Sequence, residues 1–193
     1  MHGEHDQTIP GQTEILHHPF QYLEQFGSAF LNRLEGAQMN SDLLKQMTLV
    51  DTPGVLAGAK YPYHFPGVVE WFVNRSDRVL VFFDAHKLDI SDTFKQVLSV
   101  LKDKDEKVRI VLNKADTVTV PNLLRVYGSL MWSLGKVFDT PEACRVYIGS
   151  FWDKPVNEEQ LKPVFDSQLT DLVSDIKRVP GKAMMRKLNM LLQ

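Results

Sequence analysis

From Met47 onward the sequence alternates short apolar runs of strand type with stretches whose apolar residues recur every three or four positions. Met47 to Val50 reads as a short strand ending at Asp51. Gly67 to Asn74 places Val68, Val69, Trp71, Phe72 and Val73 at helical spacing, and Arg78 to Phe83 is a β-branched and aromatic strand. Ser91 or Asp92 suits the cap of a helix bearing Phe94, Val97, Leu98 and Leu101, with Val108 to Leu112 as the next strand. Pro121 fits the first turn of a helix with the stripe Leu123, Tyr127, Leu130, Leu134 and Phe138. Arg145 to Gly149 is a further strand, and Leu161 to Ile176 and Ala183 to Leu192 form two closing helices around Pro180-Gly181. This alternation predicts an α/β fold with a mostly parallel, doubly wound sheet. The first 46 residues, punctuated by Pro10, Gly11 and Pro19, show only a weakly helical stretch from Phe26 to Leu34.

In such sheets ligands sit outside the carboxyl ends of the strands. Two motifs fall at predicted strand ends. Asp51-Thr52-Pro53-Gly54 has an Asp suited to holding Mg²⁺ through water and a Gly whose backbone N–H suits a γ-phosphate. The same four letters are also good β-turn chemistry. Asn113-Lys114-Ala115-Asp116 follows a second strand. Its Asn amide suits a base edge, its Lys stem packing over sugar and ring, and Asp116 accepting hydrogen bonds from a base, although a charged loop after a strand is common. In this order, with a strand and a helix between them, the pair fits a GTPase-like topology far more specifically than either motif alone.

The phosphate-cradling loop that normally precedes these motifs reads G-x-x-x-x-G-K-[ST]. Only Gly135-Lys136 and Gly181-Lys182 offer a Gly-Lys pair, followed by Val137 and Ala183, and neither has a glycine five positions earlier. The 193 residues therefore carry half of a nucleotide site.

A net charge of −2 gives no global attraction to nucleic acid or acidic lipid, so no nucleic-acid partner is expected. The one basic cluster, Lys177, Arg178, Lys182, Arg186 and Lys187, reads as a solvated helix face. A single cysteine, Cys144, makes no internal disulfide, and Met1 to Asp6 is polar and acidic, unlike a secretory signal; these features predict a cytoplasmic protein. The six histidines show no metal-ligand spacing.

Four stretches carry a resemblance: Phe83 to Asp92 (FDAHKLDISD), Val111 to Asp116 (VLNKAD), Arg125 to Lys136 (RVYGSLMWSLGK) and Arg145 to Trp152 (RVYIGSFW). Together they resemble the EHD family, dynamin-like membrane-remodelling ATPases named for a C-terminal Eps15-homology domain. The resemblance runs along nearly the whole chain. It implies a partial dynamin-type G domain over residues 1–157, lacking the P-loop strand and helix, and the start of a helical domain over 158–193. It implies ATP with Mg²⁺, not GTP, at Asp51, Thr52, Pro53, Gly54, Asn113, Lys114 and Asp116, with Trp152 covering the base. It also implies a homodimer through the helix carrying Met131 and Trp132, and a place in endocytic recycling, peripheral on endosomal or plasma membrane in the full-length protein.

The chain departs from the family pattern in four places. The Gly-rich loop and switch threonines would lie upstream of Met1. Tyr61-Pro62-Tyr63-His64 sits in a shortened switch loop between Lys60 and Phe65. His18-Pro19-Phe20 replaces a Lys-Pro-Phe assembly loop. The lipid-contacting tip and the domain that binds Asn-Pro-Phe proteins would lie beyond Gln193. Full-length relatives are slow ATPases. This chain alone is expected to have no catalytic residue and no hydrolysis, because phosphoryl transfer rests on positioning the phosphates. Two other readings are a pseudo-NTPase dimerisation module and, on Asn113 to Asp116 alone, a guanine-nucleotide switch.

Overall fold

The computed structural model describes residues 6–55, 60–88, 91–104, 106–138, 145–157 and 161–181. The chain divides into two compact units, Met1–Trp71 and Phe72–Gln193.

The first unit begins with a feature that the sequence pattern did not reveal. β1 (Gln7–Pro10) and β2 (Glu35–Gln38) form an antiparallel two-stranded ribbon, with Thr8 opposite Ala37 and Ile9 opposite Gly36. Between them lie α1 (Gly11–Glu14), a 3-10 turn over Phe20–Phe26 and α2 (Ser28–Leu31). Gly11 is required where it stands, because a Cβ there would come within 2.5 Å of the Leu31 carbonyl oxygen and 2.7 Å of that of Leu34. Leu23, Phe30, Leu31 and Phe65 are buried. An aromatic cluster joins Phe26 to Phe30, Phe30 to Tyr63, and Tyr61 to Phe65, the last pair stacked at 4.3 Å.

Met47 to Val50 does not form the expected strand: it pairs with no other segment among the described residues, and Leu49 and Val50 are exposed. Apolar letters alone do not make a strand, since its N–H and C=O groups need a neighbour to repay the ordering of the backbone. Asp51 therefore lies in irregular chain and not at a strand end. α3 (Phe65–Arg75) follows, near its expected position.

In the second unit β3 (Val79–Asp84), β4 (Val108–Asn113) and β5 (Val146–Ile148) form a parallel sheet in that order, so the protein is a mixed α/β chain with a three-stranded parallel sheet. Val79 pairs with Val108, Asp84 with Asn113, and Leu112 with Ile148. Val108, Ile110, Val111 and Leu112 are fully buried, the near-continuous apolar run expected of a central parallel strand. Among the described residues β3 lies at an edge of this sheet, and its Phe82 is about half exposed.

Three α-helices follow among the described residues of this unit. α4 (Asp92–Val100) starts where the cap predicts, with the Ser91 hydroxyl accepting from the Phe94 N–H at 3.3 Å. Phe94 meets Phe83 edge-on, 5.2 Å between ring centres. α5 (Val120–Gly135) buries Leu123, Leu130 and Leu134. α6 (Lys162–Lys177) packs Leu172 with Val111 and Tyr147. Asp175 of α6 takes Arg109 Nε at 3.0 Å and Arg78 Nη2 at 3.2 Å, all three side chains being at least 86% buried. One carboxylate thus fastens α6 to the starts of β3 and β4. The outer pair Arg145–Asp171, 2.6 Å apart and about half exposed, adds little. The expected helix over Ala183 to Leu192 lies outside the described residues.

Candidate nucleotide-base site

The carboxyl ends of the three parallel strands bring together Asp84 of β3, Asn113 to Asp116 after β4, and Gly149 to Trp152 after β5. The β4 end is fastened to the β5 loop by backbone and side chain. Ala115 N–H donates to the Gly149 carbonyl at 3.1 Å, and Gly149 N–H to that of Leu112 at 3.1 Å. The Asn113 amide is taken up by the protein itself. Its Oδ1 accepts from Phe151 N–H at 2.6 Å and from Lys114 N–H at 2.8 Å, while its Nδ2 donates to the Phe151 carbonyl at 3.4 Å. Asn113 acts here as a strap between two loops, a role that the sequence did not signal. The Phe151 ring lies so close over Gly149 that an added Cβ would meet it at 2.7 Å, which explains the glycine.

Lys114 adopts a left-handed backbone conformation (φ 56°), costing a non-glycine residue about 1–2 kcal/mol. Its ammonium lies 2.7 Å from Asp84 Oδ2 and 5.5 Å from the centre of the Trp152 ring. Lys154 stands 4.9 Å from the same ring. Burial pushes the Asp84 carboxyl up, but the hydrogen bond and charge of Lys114, with the N–H groups of His86 and Lys87, outweigh it and hold it below the usual carboxylate value.

Asp116 sits in a short 3-10 turn (Ala115–Thr117) and is 4% exposed. Its Oδ2 accepts from Asn157 N–H at 3.2 Å, whereas Oδ1 is buried with no hydrogen-bond partner among the described residues. Ser150 Oγ and Trp152 Nε1 in the adjoining β5 loop are likewise buried and unpartnered. Leaving a buried acceptor unmet costs about 1–3 kcal/mol, so these groups on two strapped loops have bonding capacity that a water or a ligand would satisfy. The set is one acceptor, one indole donor and one hydroxyl that can serve as either. It fits a flat heterocycle bearing an amino or imino donor, with an aromatic ring beside it.

Asp51, Thr52, Pro53 and Gly54 belong to the first unit, where the Tyr61 hydroxyl donates to the Gly54 carbonyl at 2.9 Å. The shortened segment is thereby folded back on Gly54 by the residue that also stacks on Phe65. A Cβ added at Gly54 would meet no atom of the described residues within 4 Å. No group of three or more His, Cys, Asp or Glu gathers as a cation site among the described residues. Trp132 on α5 is 70% exposed with Lys136 Nζ 5.0 Å over its ring, and Met131 beside it is half-buried. No described helix is long and apolar enough to cross a membrane.

No family model matches the sequence. Among curated proteins it is 51% identical to EH domain-containing protein 2 of Arabidopsis thaliana over 199 aligned positions, covering 98% of the chain and 36% of that protein. It is 46% identical to EH domain-containing protein 1 of Homo sapiens, and 46% to EH domain-containing protein 3 of Homo sapiens. In both cases the match covers all of the chain and 37% of the relative. The chain spans just over a third of the length of the curated relatives it matches.

Proposed function

The chain belongs to the EHD family as a partial region of it, and from that premise we propose that it is the base-recognition part of an adenine-nucleotide-binding, dynamin-like protein that remodels membranes. The observation that carries this reading is Asp116, buried with an unpartnered carboxylate oxygen in a loop strapped to the one bearing Trp152. In this reading Asp116 accepts from the base, the Lys114 stem and the Trp152 ring flank it, and Asn113 holds the two loops in register. Asp51 orients a water on Mg²⁺, and the Gly54 N–H faces the γ-phosphate. Magnesium and ATP are expected of the full-length protein.

The sheet is proposed to be doubly wound: Phe83 packs on α4 while Val111, one register position away on the neighbouring strand, packs with α6. The groups that cradle the β- and γ-phosphates are not among these 193 residues, so they bind nucleotide weakly and do not hydrolyse it alone. The work of the full-length protein is placed in endocytic recycling on endosomal or plasma membrane. Contacts with lipid and with Asn-Pro-Phe proteins belong to regions outside this chain.

A second reading, a dimerisation module without chemistry, is favoured by the exposed Trp132 with Met131 beside it, since a large aromatic in that state is a common interface anchor. The third, a guanine-nucleotide switch, rests on Asn113 to Asp116 alone. Titration calorimetry with ATP, ADP and GTP, each with and without Mg²⁺, separates the three. Heat with adenine nucleotides above that with GTP supports the main reading. A preference for GTP sinks the adenine assignment, and no heat with any nucleotide leaves the module.

A further inference from the structure

We infer that Asp84 is a positioning residue of the base site, acting through Lys114 on the ring of Trp152. The inference deepens the nucleotide reading and rests on it. Each of the three residues comes from the carboxyl end of a different strand: Asp84 closes β3, Lys114 follows β4 and Trp152 follows β5. The Asp84↔Asn113 register sets the carboxylate beside the turn into Lys114. Both carboxylate oxygens are committed there. Oδ1 accepts from His86 N–H at 2.8 Å, which fixes the plane of the group, and Oδ2 lies 2.7 Å from Lys114 Nζ.

A lysine stem has four rotatable carbons and, left to itself, spreads its ammonium over many positions. Held by Asp84, the ammonium lies 5.5 Å from the Trp152 ring centre, close enough for cation–π attraction. The Lys114 and Asp84 side chains are 38% and 35% exposed, so water screens the pair only in part. The carboxylate also neutralises one of the two ammonium groups near that ring, Lys154 being the other. The aliphatic stem of Lys114 is thereby fixed beside an aromatic ring. A methylene chain and an indole held side by side offer the flat face of a purine one apolar surface to lie on.

A purely structural role for Asp84 would rest on the N–H groups of His86 and Lys87. Asp84→Asn separates the two roles, because an amide oxygen still accepts from His86 while the charge that holds Lys114 is gone. The test uses the 193-residue chain labelled with 5-fluorotryptophan. Its three tryptophan ¹⁹F resonances are assigned by the loss of one in Trp152→Phe, and binding is read from the fluorescence anisotropy of N-methylanthraniloyl-ATP. Asp84→Asn is expected to move the Trp152 resonance while those of Trp71 and Trp132 stay in place, and to weaken nucleotide binding roughly fivefold or more, with partial recovery in Asp84→Glu. A Trp152 resonance and an affinity both equal to wild type would overturn the inference. If the wild-type chain binds no nucleotide, the base-site reading falls by itself. The resonance then decides the role of Asp84: movement supports it, and none overturns it.

Discussion

Asn113 holds Phe151 by main-chain groups on both sides of its Cα: the Phe151 N–H donates to the Asn113 side-chain oxygen at 2.6 Å, and the Asn113 amide nitrogen donates to the Phe151 carbonyl at 3.4 Å. The amide expected at a base edge is thus spent on joining the β4 and β5 loops. Among the described residues of the two loops, the buried Asp116 Oδ1, Ser150 Oγ and Trp152 Nε1 keep unused hydrogen-bonding capacity, and Asp116 is the anionic acceptor of the three.

Asn113→Ala removes both bonds to Phe151 and the one from the Lys114 N–H, and leaves the two N–H groups without their short partner. The expected cost is about 2 kcal/mol, read from the urea midpoint of unfolding. A midpoint unchanged from wild type would mean that the strap carries no load in solution.

The pairing of Asp84 with Lys114 has a pH signature. Its carboxyl lies below the ordinary value of 3.8 in the folded chain, so the pair contributes fully above that value and its contribution fades as pH falls through the lower, folded pKa. The stability gap between wild type and Asp84→Asn should therefore be constant from neutral pH to about pH 5 and close below about pH 4. Urea unfolding of both proteins at pH 7, 5 and 3 checks this. A gap that widens in acid contradicts it.

Asp175 serves two arginines at once in a nearly buried setting. Asp175→Ala withdraws the charge that Arg78 and Arg109 share, and the expected loss is about 3 kcal/mol in denaturant unfolding, with α6 loosened from the sheet. Hydrogen exchange should show faster amides in Lys162–Lys177 than in β4. Uniform exchange across the two would show that α6 is held by Leu172 and its apolar neighbours instead.

Trp132 projects from α5 with Lys136 over its ring and two-thirds of its surface open. If it anchors a homodimer, Trp132→Ala lowers the mass seen in sedimentation while leaving nucleotide affinity intact. An unchanged mass removes it from the interface.

The sequence revealed most of the second unit because its signals are local. Val108 to Leu112 is apolar enough to read as a strand by itself, Ser91 caps the helix it was expected to cap, and Leu123, Leu130 and Leu134 mark the buried side of α5 by spacing alone. Pairing is not local, and there the reading failed in both directions. Met47 to Val50 has strand-like letters and no neighbour, whereas Gln7–Pro10 and Glu35–Gln38, polar and broken by Pro and Gly, pair with each other across the helices between them. At the site, Asn113, Lys114 and Asp116 were visible as a motif. The parts played by Asp84 and Phe151 were not, because they depend on which strands lie side by side.

The central claim is that Asp116 reads a base. Binding of N-methylanthraniloyl-ATP to wild type and to Asp116→Asn, followed by anisotropy, tests it most directly. The substitution keeps an acceptor for the Asn157 N–H and exchanges the unmet oxygen for an amide donor, so folding stability should stay near that of wild type while affinity falls roughly tenfold or more. Equal affinity of the two proteins, with both folded, would contradict the account.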